Sequence, residues 1–284
     1  MQIIALFGAA GKMGTRIANK LKEAPEYRVL YVEAGEAAQA LLRQRGQPPS
    51  LPDEAARQAD IVVLAVPDKL IGKVAERIVP LLKPGAMVVC LDPAAPLGGE
   101  LPDRADITYF ITHPCHPPVV NDETDPEARL DFFGAVKAKQ NVVAALMQGP
   151  ESDYTRGEAL VRAMFAPVMN VHRVTVEQMA ILEPALSETV ALTCMMVIVE
   201  AMEEAVKRGV PPQAVRDFML GHINVNIGIL FGFLPGVVVS DGARMAAERG
   251  RKAIFQPDWK KVFEPEAIMN EVKSITQNIS VKGK

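Results

Sequence analysis

Two hydrophobic periods alternate through the first half of the chain. Short apolar runs such as residues 61–66 have the length and the valine and isoleucine content of buried strands. Between such runs, apolar residues recur at every fourth position, as Met13, Ile17 and Leu21 do, which is the spacing of one helix face. Strands that are apolar throughout and alternate with helices predict a parallel sheet with helices on both of its faces.

From about Thr175 onward the pattern is that of helices alone. The first of these helical segments is very long and contains Pro184, which should kink it. We therefore place a domain boundary near Arg173. The prediction is an α/β doubly wound domain of residues 1–173, followed by an all-α C-terminal domain of residues 174–284.

The most apolar part of the helical domain is the run of residues 190–199, which has no polar face. Its length is about half of the roughly 20 residues that a membrane span needs, so we predict a buried helix and no membrane partner. One chain of this size has little surface with which to cover such a helix. We therefore expect a homodimer in which the helical domains are intertwined.

A glycine-rich turn, GAAGKMG, follows the first predicted strand. It contains Gly8, Gly11 and Gly14, at the start of a predicted helix. Backbone N–H groups at such a position can bind a pyrophosphate, provided that no Cβ blocks its close approach. This context is typical of the Rossmann dinucleotide-binding fold, and the second predicted strand ends in an acid, Glu33. A carboxylate there accepts hydrogen bonds from ribose hydroxyls and repels a 2′-phosphate, so we predict NAD as the cofactor and not NADP.

The predicted cofactor site extends along the carboxyl ends of the strands, which line the cleft in sheets of this type. Its members come from the glycine turn and from the ends of two strands: Gly8, Ala10, Gly11, Lys12, Met13, Gly14, Glu33, Val66 and Pro67. We expect Val66 and Pro67 to lie against the cofactor without chemistry of their own.

The segment FITHPCHPPVVND, residues 110–122, holds two histidines, one cysteine and three prolines. It ends a later strand of the same sheet, so His113 is predicted to be the first residue beyond that strand and to face the nicotinamide. Oxidation of an alcohol needs a base for the hydroxyl proton, and histidine titrates near neutral pH. We predict His113 as this base, and His116 as a second group that is equally well explained as part of a rigid, proline-rich turn.

Other types of site fit this segment less well. Structural zinc needs more ligands than the two histidines and Cys115 supply. The context that activates a catalytic thiol is also missing around Cys115.

Composition narrows the classes of function further. The 284 residues carry 31 basic and 34 acidic side chains, and a net charge of −3 gives no electrostatic reason to bind nucleic acid. The three cysteines are far apart, which argues against a disulfide framework and favours a reducing compartment. The apolar N-terminal segment lacks a basic leader, so we expect a cytoplasmic protein.

The order of these features resembles the 6-phosphogluconate and 3-hydroxyacid dehydrogenase superfamily. The segments THPCHPPVVNDE, LEPALSETVALTCM and GHINVNIGILFG are similar to a group with a phosphogluconate-dehydrogenase-type C-terminal domain, which includes the D-apionate oxidoisomerases. The resemblance implies NAD-dependent oxidation of a small branched polyhydroxy acid, with rearrangement of its carbon skeleton to a 3-oxo acid. The catalytic lysine that 6-phosphogluconate dehydrogenases carry on the long helix is absent from EQMAILEPALSETV, so their decarboxylation is not expected.

The resemblance also implies that the long helix passes beneath the nicotinamide and brings Glu183 to the site. Its carboxylate has three candidate roles: to orient a histidine, to bind a substrate hydroxyl, or to hold a divalent metal ion, which stays an open alternative. His222 and Asn226 are either a satisfied core pair or part of the wall of a substrate pocket. The candidate catalytic set is therefore His113, His116, Glu183 and His222.

Two other functions stay open at this point. One is a simple 3-hydroxyacid or prephenate-like dehydrogenase that oxidises its substrate without rearrangement. The other, of a different class, is a non-catalytic regulator that binds NAD. A base beside the nicotinamide argues against the regulator, because a sensor has no use for one.

Overall fold

Seven strands form one sheet in the computed structural model, which describes residues 1–277. The strands are β1 (Gln2–Phe7), β2 (Tyr27–Val32), β3 (Ile61–Leu64), β4 (Met87–Cys90), β5 (Thr108–Pro114), β6 (Gln140–Gln148) and β7 (Val168–Arg173). Across the sheet their order is β2-β1-β3-β4-β5-β6-β7. The strands β1 to β5 are mutually parallel, β6 is antiparallel to β5, and β7 is parallel to β6.

The prediction of a parallel sheet is therefore correct for β1 to β5 and wrong for the pairing of β5 with β6. A parallel strand requires a crossover connection of a dozen or more residues, usually a helix that packs on the sheet. Between β5 and β6 the chain forms only the four-residue helix Pro126–Arg129. Without a crossover helix, β6 returns directly alongside β5 in the opposite direction.

Twelve α-helices are present in the described residues. They are α1 (Lys12–Leu21), α2 (Glu36–Gln44), α3 (Pro52–Gln58), α4 (Asp68–Ile78), α5 (Ala94–Leu97), α6 (Pro126–Arg129), α7 (Ser152–Met164), α8 (Val176–Ala180), α9 (Thr193–Lys207), α10 (Pro212–Leu230), α11 (Asp241–Ile254) and α12 (Pro265–Gln277). Short 3₁₀ helices occur at Val79–Leu81 and Trp259–Phe263, and a π-helical segment, Ile181–Leu192, joins α8 to α9.

The sheet separates two apolar cores, as a doubly wound fold requires. Successive residues of β1 point to opposite faces, so Ile4 and Leu6 pack with α1, α2 and α7, whereas Ala5 and Phe7 pack with α3, α4 and α8. All four of these side chains are buried. The carboxyl ends of β1, β3, β4 and β5 consequently meet at one rigid edge of the sheet.

The described chain forms two compact units. The first contains Met1–Pro184 and the segment that begins at Ile268, and therefore the whole sheet. The second contains Ala185–Ala267 and is helical. The predicted boundary near Arg173 coincides with the end of β7, whereas the division into compact units falls later, after Pro184.

The long helix widens around Pro184. Proline has no backbone N–H for the regular helical bond, and π-helical turns are one way in which a helix accommodates such an interruption. The segment Ile181–Leu192 is π-helical and includes both Pro184 and its neighbour Glu183.

The prediction that residues 190–199 form a buried helix is wrong for the single chain. No residue of α9 is buried, and Met195, Met196 and Val199 are each about half exposed. Because apolar residues also flank this run, the helix Val176–Lys207 is, by length and composition alone, able to cross a membrane, which by itself is weak evidence of a span. The apolar surface of this helix is thus left uncovered within the single chain.

Candidate functional site

The glycines hold the turn between β1 and α1 tightly against the sheet. Gly8 has a φ of 77°, and a Cβ there would lie 2.2 Å from the carbonyl oxygen of Ala65 at the end of β3. A Cβ on Gly14 would lie 2.0 Å from the carbonyl oxygen of Gly8. The first turn of α1 therefore rests directly on the backbone of the loop, which only glycine at these positions permits.

Glu33 lies beside this turn. Its Oε1 accepts a hydrogen bond from the backbone N–H of Ala10 at 2.6 Å, and its backbone carbonyl accepts one from the Gln39 amide at 2.9 Å. The first bond fixes the carboxylate and the second fixes the backbone of Glu33 just after β2, where the ribose hydroxyls of a dinucleotide are recognised in this type of fold.

A cleft of about 550 Å³ opens between the glycine turn, Glu33 and one side of α4 from Leu70 to Ile78. Five of the nine predicted cofactor residues line it: Gly8, Gly11, Glu33, Val66 and Pro67. The other four are close by but outside its lining: Ala10, Lys12, Met13 and Gly14. The sequence did not suggest several further lining residues, among them Phe7, Ala34, Pro52, Ala65, Leu70 and Lys73.

Three polar side chains converge at the same carboxyl edge of the sheet. They are Asp92, just after β4, His113 in β5 and Glu183 in the π-helical segment, and one ligand atom of each lies within 4.8 Å of the others. We call them the edge cluster. The Nε2 atom of His113 is 3.7 Å from Oε1 of Glu183, and these two side chains are only 19% and 21% exposed.

The position of His113 differs from the prediction that it would be the first residue beyond its strand. It belongs to β5, because antiparallel pairing with β6 extends that strand to Pro114 and places His113 opposite Val143. Its Nδ1 is 2.9 Å from the carbonyl oxygen of Pro114. A carbonyl only accepts hydrogen bonds, so Nδ1 carries the hydrogen and Nε2 points towards Glu183 and Asp92.

Burial shifts the pKa values of the cluster towards neutral side chains. The pKa of Glu183 rises to about 7, chiefly because of burial and then because of the charge of Asp92. Asp68, the first residue of α4, has a pKa raised to about 6 by the same two causes. Burial also raises the pKa of Asp92 and lowers that of His113, which the charge of Asp92 partly opposes. Such shifts are typical of sites that transfer protons or bind cations.

His116 lies next to His113 in a strained loop. Its φ is 62°, its Nδ1 is 3.0 Å from the carbonyl oxygen of Phe133, and its ring meets that of His113 edge-on at 5.9 Å. The structure therefore brings the two histidines of the segment together. Burial raises the pKa of the Cys115 thiol, which makes it a weaker nucleophile at neutral pH.

His222 lies on α10, in the second compact unit. Its Nδ1 is 2.8 Å from the carbonyl oxygen of Phe218, and its ring stacks on the Phe218 ring with a centroid separation of 3.9 Å. Both His222 and Asn226 are exposed in the single chain, so they are not a buried core pair.

Sequence reasoning missed two members of this region, Asp68 and Asp92. A usable signal was present, because each acid is the first polar residue after an apolar strand, in VPD and in LDP. Adjacent parallel strands end at the same edge, so their first polar residues are neighbours in space even though they are distant in sequence.

Comparison with known proteins identifies the family. The family described as phosphogluconate dehydrogenase (decarboxylating) C-terminal domain matches residues 121–276, and the one described as F420-dependent NADP oxidoreductase matches residues 3–93. The D-apionate oxidoisomerase of Rhizobium rhizogenes is 53% identical over 277 residues, which cover 97% of this chain and 100% of that protein. The chain belongs to the same family as the D-apionate oxidoisomerases.

Two further relatives support this assignment. The D-apionate oxidoisomerase of Cupriavidus necator is 50% identical over 96% of this chain and 99% of its own length. A crystal structure described as a semialdehyde dehydrogenase NAD-binding protein from Cupriavidus necator, in complex with calcium and NAD, has a TM-score of 0.94 and 49% identity. The match covers 97% of this chain and 100% of that chain. The predicted fold class, the family resemblance and the assignment to the oxidoreductases are confirmed.

Proposed function

We propose that this member of the D-apionate oxidoisomerase family oxidises D-apionate, a small branched polyhydroxy acid, with NAD and rearranges its carbon skeleton to a 3-oxo acid. The observation that carries the proposal is the identity of 53% over nearly the full length of a D-apionate oxidoisomerase. The structure supports it, because a dinucleotide-type cleft and the buried edge cluster occupy the same edge of one sheet.

NAD is the proposed cofactor. The cleft has a carboxylate, Glu33, at the position of ribose recognition, and this carboxylate would repel the 2′-phosphate of NADP. The related crystal structure with NAD, at 49% identity, supports the same choice. That structure also contains calcium, so a divalent ion is compatible with the proposal.

His113 and Glu183 are the proposed catalytic residues. Pro67 lines the cofactor cleft and Asp68 follows it directly, while His113 acts electrostatically on Asp68. The edge cluster is therefore next to the cleft, where the carbon that bears a substrate hydroxyl would give its hydride to the nicotinamide while the hydroxyl loses its proton. We propose that His113 acts on this hydroxyl, with Glu183 beside it. His116 is proposed as a second residue that contacts the substrate.

His222 is proposed as a further residue that contacts the substrate. This proposal rests on the polar residues that GHINVNIGILFG carries in an otherwise apolar helix. The exposed ring, held by the carbonyl of Phe218, would be available for such a contact.

We further propose that the protein is a cytoplasmic homodimer. Large apolar side chains are exposed along both α9 and α10: Met195, Met196, Val199, Phe218, Leu220, Val225 and Leu230. Such a surface is typical of an interface, and a second copy of the chain is the partner that we expect. A membrane is a poorer partner for this helix, because its Glu183 is held in a polar cluster with Asp92 and His113.

The test is the formation of NADH from a panel of four- to six-carbon aldonates and branched hydroxy acids. Replacing His113 by Ala should lower turnover by roughly 10²-fold or more while NAD affinity stays nearly unchanged. His172→Ala is the matched control, because His172 is an exposed residue of β7 and should tolerate the change. Equal losses of turnover and of NAD affinity in His113→Ala would contradict the assigned role.

The products separate the alternatives. A 3-oxo acid with a rearranged skeleton supports the proposal, whereas an unrearranged oxo acid would identify a simple dehydrogenase. Tight NAD binding without NADH from any acid would favour a regulator.

A further inference from the structure

The three side chains of the edge cluster present acceptor atoms to one another. The neutral imidazole of His113 has a single N–H, which Nδ1 directs to the carbonyl oxygen of Pro114 at 2.9 Å. Its Nε2 atom therefore points a lone pair towards the carboxylates of Glu183 and Asp92. Three acceptors that face one another repel unless a proton or a metal cation lies between them.

The distance between two of these atoms is too long for a hydrogen bond but suits two ligands of one metal ion. The separation of His113 Nε2 from Glu183 Oε1 is 3.7 Å, whereas hydrogen bonds between N and O are about 2.7–3.2 Å long. Ligands about 2.1 Å from one ion lie 3.7 Å apart when the angle at the ion is about 120°. All three candidate ligand atoms lie within 4.8 Å of one another, as common ligation requires.

The surroundings of the cluster also match those of a metal site. Histidine ligands usually donate their second ring N–H to a carbonyl or carboxylate, as His113 does to Pro114. The Asp92 carboxylate is held in turn by the backbone N–H of Ala94 at 2.7 Å. Within the described part of the chain, the charged groups that act on Glu183 are Asp92, His116 and Asp68, so this set contains no lysine or arginine.

We propose that Asp92, His113 and Glu183 form a binding site for one divalent metal ion. Two carboxylates with one imidazole suit an ion such as Mn²⁺, and three protein ligands leave further coordination positions for substrate oxygens. The use of the ion rests on the proposed function, because a cation that polarises hydroxyl and carbonyl oxygens favours a rearrangement of the carbon skeleton. The binding of the ion does not depend on that function and is tested without turnover.

The experiment measures Mn²⁺ binding to the full-length protein after treatment with a chelator, by calorimetry and by the loss of the free Mn²⁺ signal in electron paramagnetic resonance. We expect one ion per chain. Asp92→Asn, His113→Gln and Glu183→Gln should each weaken binding by roughly 10-fold to 100-fold or more. The matched control is Glu158→Gln, because Glu158 pairs with Arg162 on α7, outside the cluster, and should bind Mn²⁺ as the wild type does.

Two results would overturn the proposal. One is the absence of binding at millimolar Mn²⁺ in a wild-type protein that still binds NAD, in which case His113 and Glu183 act on the substrate directly as an imidazolium–carboxylate pair. The other is a bound ion that all three cluster variants retain with unchanged affinity, which would place the ion elsewhere. Thermal unfolding of each variant without metal verifies that it is folded.

The outcomes also separate this inference from the proposed function. Mn²⁺ bound by the cluster in a protein that forms no NADH from any acid would refute the function and retain the site. Turnover of D-apionate that a chelator leaves unchanged, without Mn²⁺ binding, would retain the function and refute the site.

Discussion

Replacing Gly14 by Ala should displace the glycine turn and thereby weaken both the fold and the binding of the cofactor. The added Cβ would lie 2.0 Å from the carbonyl oxygen of Gly8, 2.8 Å from its carbonyl carbon and 2.9 Å from Cα of Ala9. All three atoms belong to the backbone, so no side chain can turn away to relieve the contact. Non-bonded atoms prefer separations above 3 Å, and the glycine turn would have to move by about 1 Å.

The size of the effect follows from two opposing contributions. Alanine is better than glycine inside a helix by about 1 kcal/mol. Overpacking a tight contact costs about 1–3 kcal/mol, and a clash with backbone belongs at the upper end of that range. We expect a net loss of about 2 kcal/mol, which lowers the melting temperature by about 4–8 °C. Displaced N–H groups should also lose one or two bonds to phosphate, at about 1.5–3 kcal/mol each, so NAD binds at least about 10-fold more weakly.

Gly11→Ala is the informative comparison. Its Cβ would be 3.2 Å from the carbonyl oxygen of Gly8, a contact that a shift of a few tenths of an ångström relieves, but Gly11 lines the cofactor cleft. This variant should keep its stability within about 1 kcal/mol and lose NAD affinity alone. Gly250→Ala has open space around its Cβ in α11 and should change neither property adversely. Thermal unfolding without cofactor and NAD titration measure both quantities, and a Gly14→Ala protein that matches the wild type in both would refute the reasoning.

Three further changes test other parts of the structure. Glu33→Ser should weaken NAD binding by about 10-fold and reduce discrimination against NADP, since a charged acceptor for the ribose is lost; unchanged discrimination would locate ribose recognition elsewhere. Gly157→Ala would place a Cβ 2.4–2.6 Å from the buried ring of Phe110 and should cost about 1–3 kcal/mol in chemical denaturation; an unchanged midpoint would show that the ring moves aside. Met196→Glu should convert dimers to monomers in sedimentation experiments, and a dimer that persists would place the interface on another surface.

Features with a local chemical requirement could be predicted from the sequence. A turn that must bring backbone to a pyrophosphate needs glycine, and Gly8 and Gly14 show why in distances of 2.2 and 2.0 Å to backbone oxygens. The acid that binds the ribose hydroxyls is expected at the end of the second strand, and Glu33 lies there, beside the glycine turn. Periodicity was sufficient for the alternation of strands and helices, because the central strands β1, β3, β4 and β5 are buried by helices on both faces.

Features that depend on distant parts of the chain could not be predicted in the same way. The direction of β6 follows from the absence of a crossover helix in a loop whose length alone would permit one. The run 190–199 has the composition of a core helix, yet α9 is not buried within its own chain. Periodicity indicates that a face is apolar but does not identify the surface that covers it.

The edge cluster shows how the chemistry of the site arises from topology. Asp92 is unremarkable in the sequence, whereas His113 stands in a distinctive segment, and the two meet because β4 and β5 are adjacent parallel strands that end at one edge. Glu183 reaches the same point from a helix that is widened at Pro184, so the interruption by proline lies directly beside the carboxylate. The charge of the Glu183 carboxylate conflicts first with its burial and then with the nearby charge of Asp92, and the rise of the Glu183 pKa to about 7 expresses that conflict. A rigid sheet edge between two apolar cores tolerates such a conflict, and a bound cation or substrate would relieve it.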